Sequence, residues 1–198
     1  FKQLTGLGKA RTLKHLWQAP FTLHPNVVAG ILAEAETARA GGKGRIVAKM
    51  NSLLDPEVIN ALYEASQAGV TVDLIVRGVC ALRPGVAGLS ENIRVRSIIG
   101  RFLEHHRIFY FYAGGKENVY LSSADWMERN FFKRIELAFP ILDPKLKKRV
   151  ITEGLKFYLA DNQQGWEMSS QGAYLRRRSS RSKPHNAQGE LMVTLGNS

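Results

Sequence analysis

Hydrophobic residues along the chain follow two periods, one typical of helices and one typical of buried strands. Apolar positions spaced three and four residues apart predict helices at about residues 25–40, 56–68 and 144–159. Short apolar or alternating runs predict strands at residues 45–49, 70–76, 92–99, 107–112, 118–121 and 135–142. Because strands alternate with helices, the pattern predicts an α/β fold with a βαβ unit over residues 45–76.

Two of these helices share a start signal. Asp55 precedes Pro56, and Asp143 precedes Pro144. An aspartate at the N-cap accepts hydrogen bonds from the first free backbone N–H groups, and proline is well tolerated at the first helical position. Both pairs therefore predict where a helix begins, and Gly69 predicts where the second helix ends.

Composition limits the classes of protein that the chain can represent. Its 198 residues are 44% hydrophobic, which is ordinary for one globular domain, and no apolar run is long enough to span a bilayer. Cys80 is the only cysteine, and no Cys or His cluster has metal-ligand spacing, so we expect neither a disulfide nor a metal site, and a cytoplasmic location. Twenty-eight Lys and Arg against seventeen Asp and Glu give a net charge of +11, which favours polyanionic partners.

Three predicted strands adjoin polar residues that suit phosphate. Residues 104–107, Glu-His-His-Arg, come directly before a strand; Arg77 follows another; Ser122, Ser123 and Asp125 lie at and after the end of a third. Arginine binds phosphate through a planar fork, and histidine changes its charge near neutral pH. Because ligands bind beyond strand ends in α/β sheets, these residues predict phosphate chemistry at one edge.

The order of the segments predicts a domain with two flanking pieces. We expect residues 1–20 to connect to an upstream domain, residues 21–168 to form the domain itself, and residues 169–198 to form a basic polar tail. The first residue is Phe1 and no signal peptide precedes the first helix, so we expect a fragment of a longer protein.

Six sequence blocks in order resemble the second C-terminal domain of bacterial polyphosphate kinases of the first class. These blocks are AKMNSLLDP (48–56), ALYEASQAG (61–69), LIVRGVC with LRPG (74–85), SENIRVRS (90–97), RFLEH (101–105) and YLSSADW (120–126). The resemblance covers about residues 1–161, and YLRR (174–177) is similar to the end of the family. It implies a phospholipase D-like mixed sheet flanked by helices.

The resemblance also implies an activity and its partners. Members transfer the terminal phosphate of ATP reversibly to inorganic polyphosphate through a phosphorylated histidine, with Mg²⁺. The phosphohistidine and the magnesium-associated arginines belong to the preceding domain, so no residue here is the nucleophile and no metal ligand is expected in this chain. The partners expected are ATP or ADP, polyphosphate, the upstream domains and further copies of the full-length chain. The resemblance leaves open whether the full enzyme associates with membranes.

Site residues follow by motif match. Arg77 and His105 are expected to bind ATP, and His105 is the catalytic candidate, able to donate a proton or a hydrogen bond to a phosphate oxygen. Arg107 is either a second phosphate clamp or the ion-pair partner of Glu104, and we favour the pair. The supporting residues either orient the histidine or merely turn the chain; they are Ser122, Ser123 and Asp125.

The adjacent histidines require a choice, because the family usually has a small polar residue where this chain has His106. If the strand begins at or before Glu104, side chains alternate between the two faces of the sheet, and only one imidazole can enter the site. The resemblance selects His105.

Two other functions compete with this one. The basic tail and the net charge suit a nucleic-acid-binding module, although the tail has few aromatic residues for stacking on bases. Half of a phospholipase D-type phosphodiesterase is the second alternative. In that class the His motif carries Lys at its third position, where this chain has Arg107.

Overall fold

A mixed β-sheet forms the centre of the fold in the computed structural model, which describes residues 13–176 and 183–196. Within these residues nine strands are hydrogen-bonded in the order β1-β7-β6-β5-β2-β3-β4-β8-β9. The strands are β1 Trp17–Gln18, β2 Arg45–Met50, β3 Thr71–Val76, β4 Ile93–Ile98, β5 Arg107–Phe111, β6 Asn118–Ser122, β7 Leu137–Pro140, β8 Gly165–Met168 and β9 Tyr174–Arg176. The helices are α1 Leu23–Arg39, α2 Pro56–Gln67, α3 Glu128–Phe132, α4 Pro144–Arg149, α5 Phe157–Ala160 and α6 Ala187–Gly196.

The directions of the central strands define one functional edge. β2, β3 and β4 run parallel, β5 runs antiparallel to β2, and β6 runs antiparallel to β5. The carboxyl ends of β2, β3, β4 and β6 therefore meet the amino end of β5. At this edge Lys49 is the register partner of Ile108, and Arg107 is the register partner of Ser122.

Helices cover both faces of the sheet. On one face α1 and α2 bury an apolar cluster that includes Leu23, Ile31 and Leu62. On the other face residues 144–160 form one helical segment, in which Val150–Lys156 has π-helical turns, and Leu155 and Tyr158 pack on the sheet. The predicted α/β class and the helix at 144–159 are confirmed.

Both predicted capping signatures are confirmed. The Asp55 carboxylate accepts a hydrogen bond from Val58 N at 3.0 Å, and the Asp143 carboxylate accepts one from Leu146 N at 2.8 Å. In each helix the proline occupies the first turn. Asp55 also bonds Nε2 of the buried His24 at 3.1 Å, which ties the start of α2 to α1.

The sheet extends beyond the predicted domain limits at both ends. Trp17–Gln18 pairs with β7, although residues 1–20 were expected to be a connecting segment. Tyr174–Arg176 pairs with β8, and α6 packs on the helical segment, although residues 169–198 were expected to be a tail. Residues 1–12, 177–182, 197 and 198 lie outside the described part, including most of the basic run of the tail. None of the described helices is long and apolar enough to cross a bilayer.

Candidate functional site

The polar residues selected from the sequence meet at the functional edge of the sheet. Arg77 follows β3, His105 and His106 precede β5, and Arg107 is the first residue of β5. A small cavity of about 10 Å³, roughly the size of one water molecule, opens among these strand ends. Its lining consists of Lys49, Met50, Asn51, Ile75, Arg77, Ile98, Glu104 and His106.

Two buried donors at the cavity have no partner. Nη1 of Arg77 and Nδ2 of Asn51 are both buried, and neither forms a hydrogen bond with any described residue. Burying an N–H group without an acceptor costs about 1–3 kcal/mol, and more where the group is charged. The two donors come from the ends of neighbouring parallel strands, so they are placed to share an oxygen-rich ligand.

Lys49 brings a further cation to the cavity. Its side chain is buried, forms an ion pair with Glu104, and places Nζ 2.9 Å from the centroid of the Tyr158 ring. Burial lowers the pKa of Lys49 to about 8, against the raising effect of Glu104 and with a smaller lowering effect of Arg77. Two cations share this small volume, since Lys49 and Arg77 both line the cavity.

Glu104 is the hydrogen-bonded centre of the cluster. Its Oε1 accepts hydrogen bonds from Tyr158 Oη at 2.7 Å and from Gln188 Nε2 at 2.8 Å, while its Oε2 pairs with Lys49. Burial alone would raise the pKa of Glu104, but Lys49 and the two neutral donors outweigh it and hold that pKa below its ordinary value. Glu104 therefore stays ionised and its position is fixed.

The two histidines occupy different environments. The His106 ring lines the cavity, with Nε2 3.9 Å from Glu104 Oε2 and its centroid 5.8 Å from that of Tyr158. Partial burial, together with Lys49 and Arg107, lowers the pKa of His106 to about 4, so its imidazole is neutral at pH 7. His105 is exposed and is not among the residues that line the cavity; its backbone oxygen accepts a hydrogen bond from Arg107 Nη1 at 2.7 Å.

The alternation expected for these histidines does not apply. β5 begins at Arg107, so His105 and His106 both lie in the preceding loop. Their directions are set by that loop and not by the pleat of a strand. His106 therefore lines the cavity with part of its ring exposed to solvent, while His105 is exposed and does not line it.

The favoured pairing of Arg107 with Glu104 is wrong. Arg107 donates hydrogen bonds to Asp125 from Nε to Oδ1 at 3.2 Å and from Nη2 to Oδ2 at 2.9 Å, and both residues are buried. Asp125 Oδ1 also accepts hydrogen bonds from the backbone N–H of Asn51 at 2.6 Å and of Ser52 at 3.3 Å. Arg107 and Asp125 thus hold together the start of β5, the segment after β6 and the segment after β2.

The supporting hydroxyl groups turn the chain and do not orient a histidine. Ser122 Oγ donates to the Leu137 carbonyl at 3.0 Å and accepts from Ala124 N at 3.0 Å. Ser123 Oγ donates to Glu136 and accepts from Leu137 N at 3.1 Å. These contacts hold the turn after β6 against the start of β7.

Several residues of the site were missed by sequence reasoning. Lys49 stands at the end of an apolar strand run, RIVAK, and a lysine inside such a run was an available signal. Tyr158 falls within the helix predicted at residues 144–159, and an aromatic residue at an apolar helix position carries no signal for a site. Gln188 lies in the presumed tail, 84 residues from Glu104, and nothing in the local sequence marks it.

The described residues do not fit a metal ion. Within 13–176 and 183–196 no group of three or more His, Cys, Asp and Glu side chains is arranged to hold one. Glu104 and Asp125 are already engaged by cations of the protein. The arrangement instead offers donors and positive charge to an anion.

Comparison with known proteins gives similar chains along nearly the whole length. Polyphosphate kinase of Paraburkholderia phytofirmans is 68% identical over 192 residues, which are 97% of this chain and 28% of that protein. Polyphosphate kinase of Burkholderia cenocepacia is 68% identical over 98% of this chain and 28% of its own length. The chain thus spans little more than a quarter of the relatives it matches.

Solved structures support the same grouping. A crystal structure of polyphosphate kinase from Porphyromonas gingivalis superimposes with a TM-score of 0.93 at 39% identity, over 99% of this chain and 30% of that one. Nuc of Salmonella typhimurium, a phospholipase D family member, matches with a TM-score of 0.55 at 17% identity, over 78% of this chain and 96% of that one. The second match shows a shared fold and confirms the phospholipase D-like sheet. A family model for polyphosphate kinase C-terminal domain 2 matches residues 16–188, and the chain belongs to that family.

Proposed function

We propose that this chain is the C-terminal catalytic part of an enzyme that transfers the terminal phosphate of ATP reversibly to inorganic polyphosphate. The family membership and the 68% identity to polyphosphate kinases support the activity. The observation that carries the proposal at the site is a pair of buried donors, Arg77 Nη1 and Asn51 Nδ2, that find no acceptor among the described residues. Phosphate oxygens are the acceptors that these donors lack.

Charge favours the same ligand. Lys49, Arg77 and Arg107 place three cationic groups at the functional edge, and the carboxylates of Glu104 and Asp125 each already bind one of them. Arg77 is the cation for which the structure gives no ion pair with a described residue. It is therefore free to bind phosphate through its guanidinium fork.

Each residue has a role in the proposed transfer. The transition state of phosphoryl transfer spreads negative charge over the equatorial oxygens, so fixed positive charge and donors lower the barrier. Arg77 would hold the phosphate oxygens, with Lys49 and Asn51 beside it. His105, exposed in the loop before β5, would donate a hydrogen bond or a proton to the bridging or leaving oxygen. The nucleophilic histidine belongs to the part of the enzyme that this chain does not include.

Mg²⁺ is proposed for the full enzyme with ligands outside this chain. The carboxylates of Glu104 and Asp125 at the site are paired with Lys49 and Arg107, so no step of the proposed chemistry in this domain is assigned to a metal. ATP or ADP, polyphosphate, the preceding domains and further copies of the chain are the proposed partners, in the cytoplasm.

The two alternative functions fit the site less well. A phosphodiesterase of the phospholipase D type would place Lys at position 107, whereas Arg107 is buried against Asp125 as a fastening element. A nucleic-acid module would rest on the basic tail, most of which lies outside the described residues.

Labelling with ATP tests the proposal. The full-length polypeptide should take up acid-labile label from the terminal phosphate and convert it into polyphosphate, while the 198-residue chain alone should do neither. In the full-length polypeptide Arg77→Ala should lower the activity, and Arg83→Ala, at an exposed loop arginine, should not. Stoichiometric acid-labile label on the isolated chain would contradict the proposal, as would hydrolysis of a phosphodiester without phosphotransfer.

A further inference from the structure

Gln188 joins the last helix to the loop that carries the histidines. Its side chain is 5% exposed and lies between α6 and residues 99–106. Oε1 accepts a hydrogen bond from Phe102 N at 2.9 Å, and Nε2 donates to the Phe102 carbonyl at 3.0 Å. One amide thus satisfies both backbone groups of Phe102, as a neighbouring strand would.

The same amide also holds Glu104. Gln188 Nε2 donates to Glu104 Oε1 at 2.8 Å, beside Tyr158 Oη, which leaves Oε2 for Lys49 and His106. Gln188 therefore fixes residues 102 and 104, immediately before the two histidines. The three hydrogen bonds of one side chain connect the end of the chain to the cation cluster.

The loop is shaped to receive this side chain. A Cβ atom on Gly100 would lie 2.5 Å from Gln188 Oε1 and 2.9 Å from Cδ, so only glycine leaves room for the amide. The helix is anchored independently of the loop, because Ala187 N donates to the buried carboxylate of Asp161 at 2.8 Å. The position of Gln188 is consequently set by α6 and does not depend on the loop.

We propose that Gln188 is a positioning residue for phosphoryl transfer, which holds the histidine-bearing loop and the Glu104 carboxylate in the geometry that the phosphate site requires. The inference rests on the proposed function, since phosphotransfer is the activity measured. Gln188 touches no reacting atom and acts through Phe102 and Glu104. Residues 183–196 then contribute to the geometry of the phosphate site.

The first experiment compares Gln188→Ala with Thr194→Ala in the full-length polypeptide; Thr194 is exposed on the same helix. Gln188→Ala should lower kcat about 10- to 100-fold, the scale of a misplaced catalytic group, while Thr194→Ala should retain wild-type activity. Backbone hydrogen exchange of residues 99–106 should be faster in Gln188→Ala than in wild type, and unchanged in Thr194→Ala. Gly100→Ala should reproduce both effects from the loop side, which guards against a Gln188 variant that fails to fold.

Gln188→Glu separates positioning from general stability through its pH profile. The introduced carboxyl would face the Glu104 carboxylate, with Lys49, His106 and Tyr158 around it and Asp161 at the base of the helix. When the introduced carboxyl is protonated, it can still donate a hydrogen bond to Glu104. When it is ionised, it repels the Glu104 carboxylate. Activity relative to wild type should therefore be highest at acid pH and fall as the pH rises. A merely structural role would lower the activity only in step with the folded fraction, which circular dichroism measures at each pH.

The outcomes distinguish the two proposals. If the wild-type polypeptide transfers no phosphate, the proposed function fails. Hydrogen exchange of residues 99–106 still tests whether Gln188 holds the loop. If it transfers phosphate and Gln188→Ala keeps kcat within about twofold of wild type, with unchanged exchange at residues 99–106, the positioning role is overturned. A flat activity ratio for Gln188→Glu across the pH range would overturn it as well.

Discussion

The guanidinium of Arg107 and the carboxylate of Asp125 form two hydrogen bonds, of 3.2 Å and 2.9 Å, in a buried position. Because Asp125 also accepts hydrogen bonds from the backbone N–H groups of Asn51 and Ser52, one carboxylate joins β5, the segment after β6 and the segment after β2. This fastening fixes the frame on which the cavity is built.

Asp125→Ala should therefore destabilise the chain strongly. Removing one partner leaves a buried, unpaired guanidinium, which typically costs about 3–5 kcal/mol. Urea unfolding of the 198-residue chain measures the change. Glu128→Ala, which breaks the exposed pair with Lys133, is the control and should leave the midpoint almost unchanged. Equal midpoints for the two variants would show that the fastening contributes little.

The same carboxylate should make stability depend on pH in the acid range. Burial alone would raise the pKa of Asp125, but hydrogen bonds from Arg107, Asn51 and Ser52 hold it below its ordinary value. The contribution of the ionised form to stability is full above about pH 4 and is lost as the pH falls toward the folded-state pKa. The free energy of unfolding should thus fall more steeply below about pH 4 in wild type than in Asp125→Asn. Parallel curves would contradict this.

Local patterns predicted most of the fold because the signals and the structures they specify are close in sequence. Asp55 and Asp143 cap their own helices three residues on, and alternating apolar runs became strands with ends shifted by one or two residues. The sheet edge was predictable from the polar residues beyond strand ends. The start of β5 at Arg107 was predicted as well, but the directions of the two histidine side chains were not, since Glu104 to His106 belong to a loop.

Partners within the site could not be predicted because they depend on register and on distant contacts. Glu104 is near Arg107 in sequence, but the pairing of Arg107 with Ser122 brings Asp125 to it instead. Glu104 then receives Lys49 across 55 residues and Gln188 across 84. No spacing rule connects such positions before the sheet is assembled.

Lys49 should make anion binding sensitive to mildly alkaline pH. Burial lowers its pKa to about 8, so the ammonium is lost as the pH rises through that value. The affinity of the full-length polypeptide for a short polyphosphate should fall by up to about tenfold between pH 7 and pH 9, roughly the fraction of Lys49 that loses its proton. Calorimetry should show that Lys49→Arg removes this dependence, because arginine keeps its charge. Lys43→Arg, at an exposed lysine, should retain it. An equal fall in Lys49→Arg would assign the titration to another group.

Arg77→Lys should fail to restore what Arg77→Ala loses. Nη1 of Arg77 is buried without a partner in the described part of the chain, and an ammonium cannot reproduce the two-pronged geometry of the guanidinium. Losing a charge-assisted hydrogen bond should cost about 1.5–3 kcal/mol in ATP binding or transition-state stabilisation. Turnover and ATP affinity of the full-length polypeptide are the measurements, with Arg83→Lys as the matched control. Near-normal values for Arg77→Lys would show that only the positive charge at position 77 matters, and not the geometry of the guanidinium.

The adjacent histidines should differ in which kinetic constant they control. His105 is exposed in the loop before β5, and in the proposed function it is the proton donor, so His105→Ala should lower kcat about 100- to 10,000-fold. His106 lines the cavity and is neutral at pH 7, since partial burial, Lys49 and Arg107 lower its pKa to about 4. A neutral ring contributes hydrogen bonding only, so His106→Ala should raise the KM for ATP by less than about tenfold, the value of one such bond, and leave kcat nearly unchanged.

His106→Asn should have a KM for ATP close to that of wild type, because the amide can still donate a hydrogen bond into the cavity. Circular dichroism of each variant would exclude unfolding as the cause of any loss. A larger fall in kcat for His106→Ala than for His105→Ala would reverse the assignment, and would make the proton donor a residue that lines the cavity with Lys49 and Glu104.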